Sequence, residues 1–180
     1  MVLFQVTTVW LLLLATFSYG TPTDFRGGNP SNNYDPVGNT FTIMSNVSGE
    51  SFNRSWSEYR DGFKTQRGSN WIGLDKLHRL TNDGHDYQLI IVLFAEGATS
   101  YASCNEFKVD SEKEDYRVHC QSLPGYVEVL HDGSTFSTYD QGSGQEQAAS
   151  FGFGWWFGEN QKPFNATNMV LTKLKKKSSN

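Results

Sequence analysis

Apolar and polar positions change rhythm several times along this chain, and each change predicts an element. Residues 40–45 alternate as a first strand. Ser55 can cap a helix and Glu58, three residues on, can return the hydrogen bond, so a short helix is predicted near 55–63 with Trp56, Tyr59 and Phe63 on one face. A second short helix is predicted over 75–81, with Leu74, Leu77 and Leu80 inward and Asn82-Asp83-Gly84 as its stop. The run Tyr87-Gln88-Leu89-Ile90-Ile91-Val92-Leu93-Phe94 is apolar on both faces and reads as a central strand covered on both sides. Residues 99–109 and 115–121 flank an acidic turn and read as a hairpin. From residue 131 onward glycines alternate with aromatics, which predicts loops.

Together these elements predict an α+β domain. Its core would be a twisted, mainly antiparallel sheet from about residues 85–130, with two short helices and a loop-rich end. The aromatic content of 14% and the 17 glycines suit strands and Gly-built loops better than helices.

The two ends read differently from the middle. Val9 to Phe17 is apolar but too short to cross a bilayer, and Ser18-Tyr19-Gly20 is a small-x-small cleavage pattern, so residues 1–20 are expected to be an export signal. The expected location is therefore outside the cell, with no membrane span. Residues 21–39, rich in Gly, Pro, Asn and Ser, are expected to be a flexible arm, and residues 40–172 the folded domain. Residues 173–180 form a basic tail holding Lys173, Lys175, Lys176 and Lys177, read as a solvated end; as a functional element its charge would attract sulfated glycosaminoglycan. Net charge is −4, and −8 for the chain without those four lysines, which argues against a nucleic-acid partner. In an exported chain the sequons at Asn46, Asn53 and Asn165 are candidate glycosylation sites.

Catalytic chemistry finds little support. The histidines at 78, 85, 119 and 131 fall in no metal or triad spacing, and His131-Asp132-Gly133 reads as a tight turn. Cys104 and Cys120 lie one on each arm of the predicted hairpin, in a compartment that oxidises thiols. If Phe107 faces Val118 and Val109 faces Tyr116, Cys120 lies opposite Asn105 and the two sulfurs point to opposite faces. A single bulge would restore the pair, and the alternation alone leaves both outcomes open. Phe151, Phe153, Trp155, Trp156 and Phe157 are the candidate ligand-binding residues, because aromatics set between glycines place flat apolar surface near solvent, where it can stack on a sugar or grip an apolar group.

Several runs resemble the fibrinogen C-terminal-like domain of fibrinogen chains, ficolins, tenascins and angiopoietins. They are Phe52 to Phe63, Trp71 to Thr81, Tyr87 to Leu93, Tyr101-Ala102 through Phe107-Lys108-Val109, Tyr116-Arg117-Val118, His131-Asp132-Gly133, Phe136 to Asp140 and Gly154-Trp155-Trp156. The resemblance implies the fibrinogen-type fold and a non-enzymatic, secreted recognition module of lectin-like kind, binding acetylated sugars or microbial glycans. The alternative is an extracellular protein or matrix interaction module that has lost calcium and small-ligand binding.

It also implies a calcium loop, in which Asp140 matches the first of two family aspartates. Position 142, where the second would stand, is glycine, and one carboxylate is a poor calcium site. The family's cysteine-bearing first segment has no counterpart here. The bridge beside its ligand pocket is also missing, with Glu146-Gln147 and Asn160 at those places, and about forty positions of the last subdomain are absent.

Overall fold

A computed structural model describes residues 39–47, 50–95, 98–123, 129–159, 161 and 164–174. The expected export signal, all but Asn39 of the expected arm, and residues 175–180 of the tail lie outside the described residues.

Chain order is β1 (Thr40–Ser45), α1 (Trp56–Asp61), β2 (Phe63–Lys64), β3 (Asn70–Trp71), α2 (Leu74–Thr81), β4 (Tyr87–Ala95), β5 (Ala98–Val109), β6 (Val118–Ser122), α3 (Gln145–Phe151) and β7 (Ala166–Lys173). The strands form one sheet in the order β2-β3-β1-β7-β4-β5-β6, and each pairing is antiparallel. The last strand thus inserts between the first and β4, and the sheet draws on residues well outside the expected 85–130. Lys173 belongs to β7, opposite Tyr87, and not to a free tail.

The predicted capping box closes α1: Ser55 Oγ accepts the Glu58 N–H, while Glu58 Oε2 accepts the Ser55 N–H at 2.9 Å. The helix stops at Asp61, two residues before the predicted end. Gly62 takes φ 90°, and a Cβ there would lie 2.7 Å from the Ile72 carbonyl oxygen, so the chain turns and Phe63 enters β2 opposite Trp71. In α2 the inward positions are Leu74, Leu77 and Thr81, and Leu80 is only half-buried. Thr81 takes the inner place because its hydroxyl donates to the Leu77 carbonyl and accepts the Val109 N–H, satisfying the end of β5.

Only one face of β4 is buried. Tyr87, Leu89, Ile91 and Leu93 face the core, whereas Ile90 and Val92 are half-exposed and Phe94 is 48% exposed. The helices cover a single side, so the apolar run is a half-buried strand rather than one covered on both sides.

The hairpin register also differs from the simple alternation. Asn105 pairs with Gln121 and Lys108 with His119, leaving Glu106 and Phe107 opposite Cys120, with Glu106 at φ 53°. This bulge shifts the phase: Ala102 and Cys104 before it share the buried face with Phe107 and Val109 after it. Strand β6 starts at Val118, later than predicted, because Asp115 and Tyr116 are left-handed turn residues. Cys104 and Cys120 are disulfide-bonded, with Cα atoms 5.3 Å apart.

The stretch predicted as loop holds α3, which ends at Gly152. The core is rich in packed aromatic rings. Trp156 sits 4.8 Å from Phe136, centroid to centroid, and packs on Trp71 and Phe107. Each buried indole N–H finds an acceptor, Trp156 on the Tyr116 carbonyl at 2.7 Å and Trp71 on the Tyr59 carbonyl at 2.8 Å. Such pairs each add about 0.5–1.5 kcal/mol beyond the area they bury.

Candidate functional site

Beside this core the aromatic segment opens a cavity of about 550 Å³. One wall comes from the residues following α3: Phe151, Phe153 and Trp155 line it. Phe153 is held there by a parallel bridge between its backbone and Phe52, a second wall residue from the segment before α1. The third wall is the entry to β7, where the Phe164 ring meets Phe153 at 5.3 Å and Trp155 at 5.0 Å. Met44 and Trp71 close the floor, and Asn165 and Phe94 also border the space.

Apolar side chains predominate in the lining, and Asn46, Glu50, Ser51, Tyr59 and Asn165 bring polar groups to it. Asn46 Oδ1 is itself buried and has no hydrogen-bond partner. A buried acceptor left unpaired costs free energy. The nearby Tyr59 hydroxyl is already committed: it donates to the Phe52 carbonyl at 2.8 Å and accepts the Gly154 N–H at 3.0 Å. Burial pushes its pKa well above the ordinary tyrosine range.

Of the five aromatics singled out in sequence, three line the cavity and two do not. Trp156 is fully buried and belongs to the core, because its indole N–H is used by Tyr116 and its faces by Phe136 and Phe107. Phe157 packs behind the wall on Phe151 and Phe153. Phe52, Phe164, Phe94 and Asn46 were missed. They come from distant segments, and no local pattern joins them.

Asp140 is occupied elsewhere. Its Oδ1 accepts the Trp56 N–H at 2.9 Å and the Thr138 hydroxyl at 2.7 Å, tying the loop to the first turn of α1. Gly142 is wedged against this loop at φ 97°, and a Cβ there would lie 2.5 Å from Ser137 Oγ and 2.6 Å from the Phe136 carbonyl oxygen. A second carboxylate cannot stand at that position in this backbone. Among the described residues no three His, Cys, Asp or Glu side chains cluster to hold a metal, so the residues present do not fit calcium.

His131-Asp132-Gly133 forms a turn, with the Ser134 N–H donating to the His131 carbonyl, Asp132 Oδ1 accepting the Cys120 N–H at 3.0 Å, and Gly133 donating to the Val118 carbonyl. Asn53 and Asn165 are exposed and Asn46 half-buried. At the far end of β4, Asp83 accepts from the Lys173 ammonium and the Tyr87 hydroxyl, each at 3.0 Å.

Comparison with known proteins places the chain. Residues 33–177 match the family described as fibrinogen beta and gamma chains, C-terminal globular domain. The chain belongs to the fibrinogen C-terminal domain family. Its members are non-enzymatic binding modules. Chicken (Gallus gallus) tenascin is 35% identical over 95 residues, which is 51% of this chain but 5% of that tenascin. Among solved structures, the fibrinogen-like globe domain of human ANGPTL6 superposes with a TM-score of 0.60 at 20% identity, covering 78% of this chain and 80% of that one. Lamprey fibrin D-dimer, solved with the peptide ligand Gly-His-Arg-Pro-amide, gives 0.56 at 21% identity over 81% of this chain and 65% of that one. The fibrinogen-type fold is thus common to all three. Among the described residues of this fibrinogen C-terminal domain no helix is long and apolar enough to cross a membrane.

Proposed function

We propose that this fibrinogen-related domain is a secreted, lectin-like recognition module whose ligand enters the aromatic cavity and not a calcium-dependent pocket. One observation carries the reading: a space of about 550 Å³ walled by Phe52, Phe153, Trp155 and Phe164, with the polar side chains of Ser51 and Asn165 at its border. Flat rings suit the apolar face of a sugar, and polar side chains at the border suit its hydroxyl and acetamido groups. Secretion rests on the export signal read at residues 1–20.

The test is retention on N-acetylglucosamine resin, with and without calcium, of chain made in the bacterial periplasm, where the disulfide forms and no glycan is added. Retention in both buffers supports the reading, and no retention in either sinks it.

A second reading, an extracellular protein or matrix interaction module, is favoured by the open sheet face, where Phe94 is 48% and Tyr101 50% exposed. The lamprey fibrin neighbour, whose ligand is a peptide, shows that this fold serves peptides elsewhere.

A further inference from the structure

The sequon Asn165-Ala166-Thr167 lies at the mouth of the cavity. Asn165 is exposed and borders the space, and its neighbour Phe164 is built into the wall against Phe153 and Trp155. The Phe94 N–H donates to the Asn165 carbonyl at 2.9 Å, so the two backbones touch. Phe94, also on the cavity border, is 48% exposed and lies on the sheet face opposite the core-facing Leu93. The exported chain therefore carries an acceptor asparagine next to an uncovered aromatic ring and an apolar entrance.

We propose that Asn165 bears an N-linked glycan whose first acetylated sugar lies on Phe94 and covers the entrance, so that glycosylation controls access to the cavity. The inference rests on the cavity being the binding site. In the transfer, the Asn165 Nδ2 bonds to the anomeric carbon of a lipid-pyrophosphate oligosaccharide and that carbon's bond to the pyrophosphate oxygen breaks. The amide proton passes to the transferase's base and no oxidant is needed. The binding-competent form is the one with Asn165 free. Asn53 is the internal control, since it is exposed but not part of the lining.

The experiment compares wild type, N165Q, N53Q and F94A secreted from an N-glycosylating cell, by intact mass and by titration with the apolar dye 8-anilinonaphthalene-1-sulfonate. The mass of N165Q is expected to fall by one glycan and its dye affinity to rise about tenfold over wild type, with N53Q binding dye as wild type does. F94A, keeping its glycan but losing the ring beneath it, is expected to bind dye more tightly than wild type. An unmodified Asn165, or a glycosylated wild type binding dye as well as N165Q, overturns the cover while leaving the cavity reading intact. No dye binding by any of the four overturns both.

Discussion

The carboxylate of Asp140 holds the backbone N–H of Trp56 at 2.9 Å, across 84 residues of sequence. An aspartate that in the resembling family would serve calcium is here a fastening between a loop and a helix. The same oxygen takes the Thr138 hydroxyl, so the charge is satisfied without a cation.

Removing that fastening is expected to cost stability independently of any metal. D140A should lose about 1–2 kcal/mol, as for a lost helix cap, while D140N, which keeps an acceptor oxygen, should lose less. Denaturant unfolding with and without millimolar calcium checks both points. A bound ion would raise the midpoint by mass action, so the midpoint of the wild type is expected to stay still.

The Cys104–Cys120 bond closes a loop of sequence separation 16 in the β5–β6 hairpin. Loop-closure entropy puts its worth at about 3 kcal/mol. The double variant C104S/C120S should unfold at correspondingly lower denaturant, and reductant should shift the wild type but not the variant. Equal midpoints for the two proteins would show that the bridge does not form in solution.

Asp83 links β7 to β4 by accepting from Lys173 and Tyr87. Burial pushes its carboxyl up, but hydrogen bonds from Lys173, Tyr87 and His85 outweigh this and bring it from 3.8 to about 2. Burial and the Asp83 bond together raise Tyr87 to about 12. Because the folded-state pKa of Asp83 is the lower one, its contribution is complete above about pH 4 and is lost as pH falls toward 2. The Asp83 and Lys173 side chains are 33% and 25% exposed, so screening limits the effect. D83N should cost about 1 kcal/mol or less at neutral pH, and the gap should close as pH approaches 2. Urea midpoints of both proteins across that range measure it.

What could be read from sequence followed the range of each interaction. The α1 cap was legible because Ser55 and Glu58 are three residues apart, and the inward Leu74 and Leu77 because a helix repeats locally. The hairpin register was not, since one bulge at Glu106 inverts the alternation and a bulge leaves no local mark beyond the phase change between Cys104 and Phe107. The glycine at 142 where a second carboxylate would stand was legible, but the duty of Asp140 was not, because its partner Trp56 is remote. Helix α3 was hidden behind Gly142-Ser143-Gly144, which reads as loop, although Gln145 to Ala149 are sound helix formers. Trp155 and Trp156 are adjacent and chemically alike, both are buried in the core, and only the packing shows that Trp155 also lines the cavity. Phe52 and Phe153 meet through one backbone bridge that no periodicity announces.

The most direct test of the recognition site is calorimetric titration of N-acetylglucosamine into unglycosylated wild type and F153A, each with calcium and with chelator. Phe153 is only half-buried, so its loss should leave the fold standing, which the unfolding midpoint verifies. The account predicts calcium-independent binding by the wild type, weakened at least about tenfold in F153A. Binding that requires calcium, or that F153A retains in full, would contradict it.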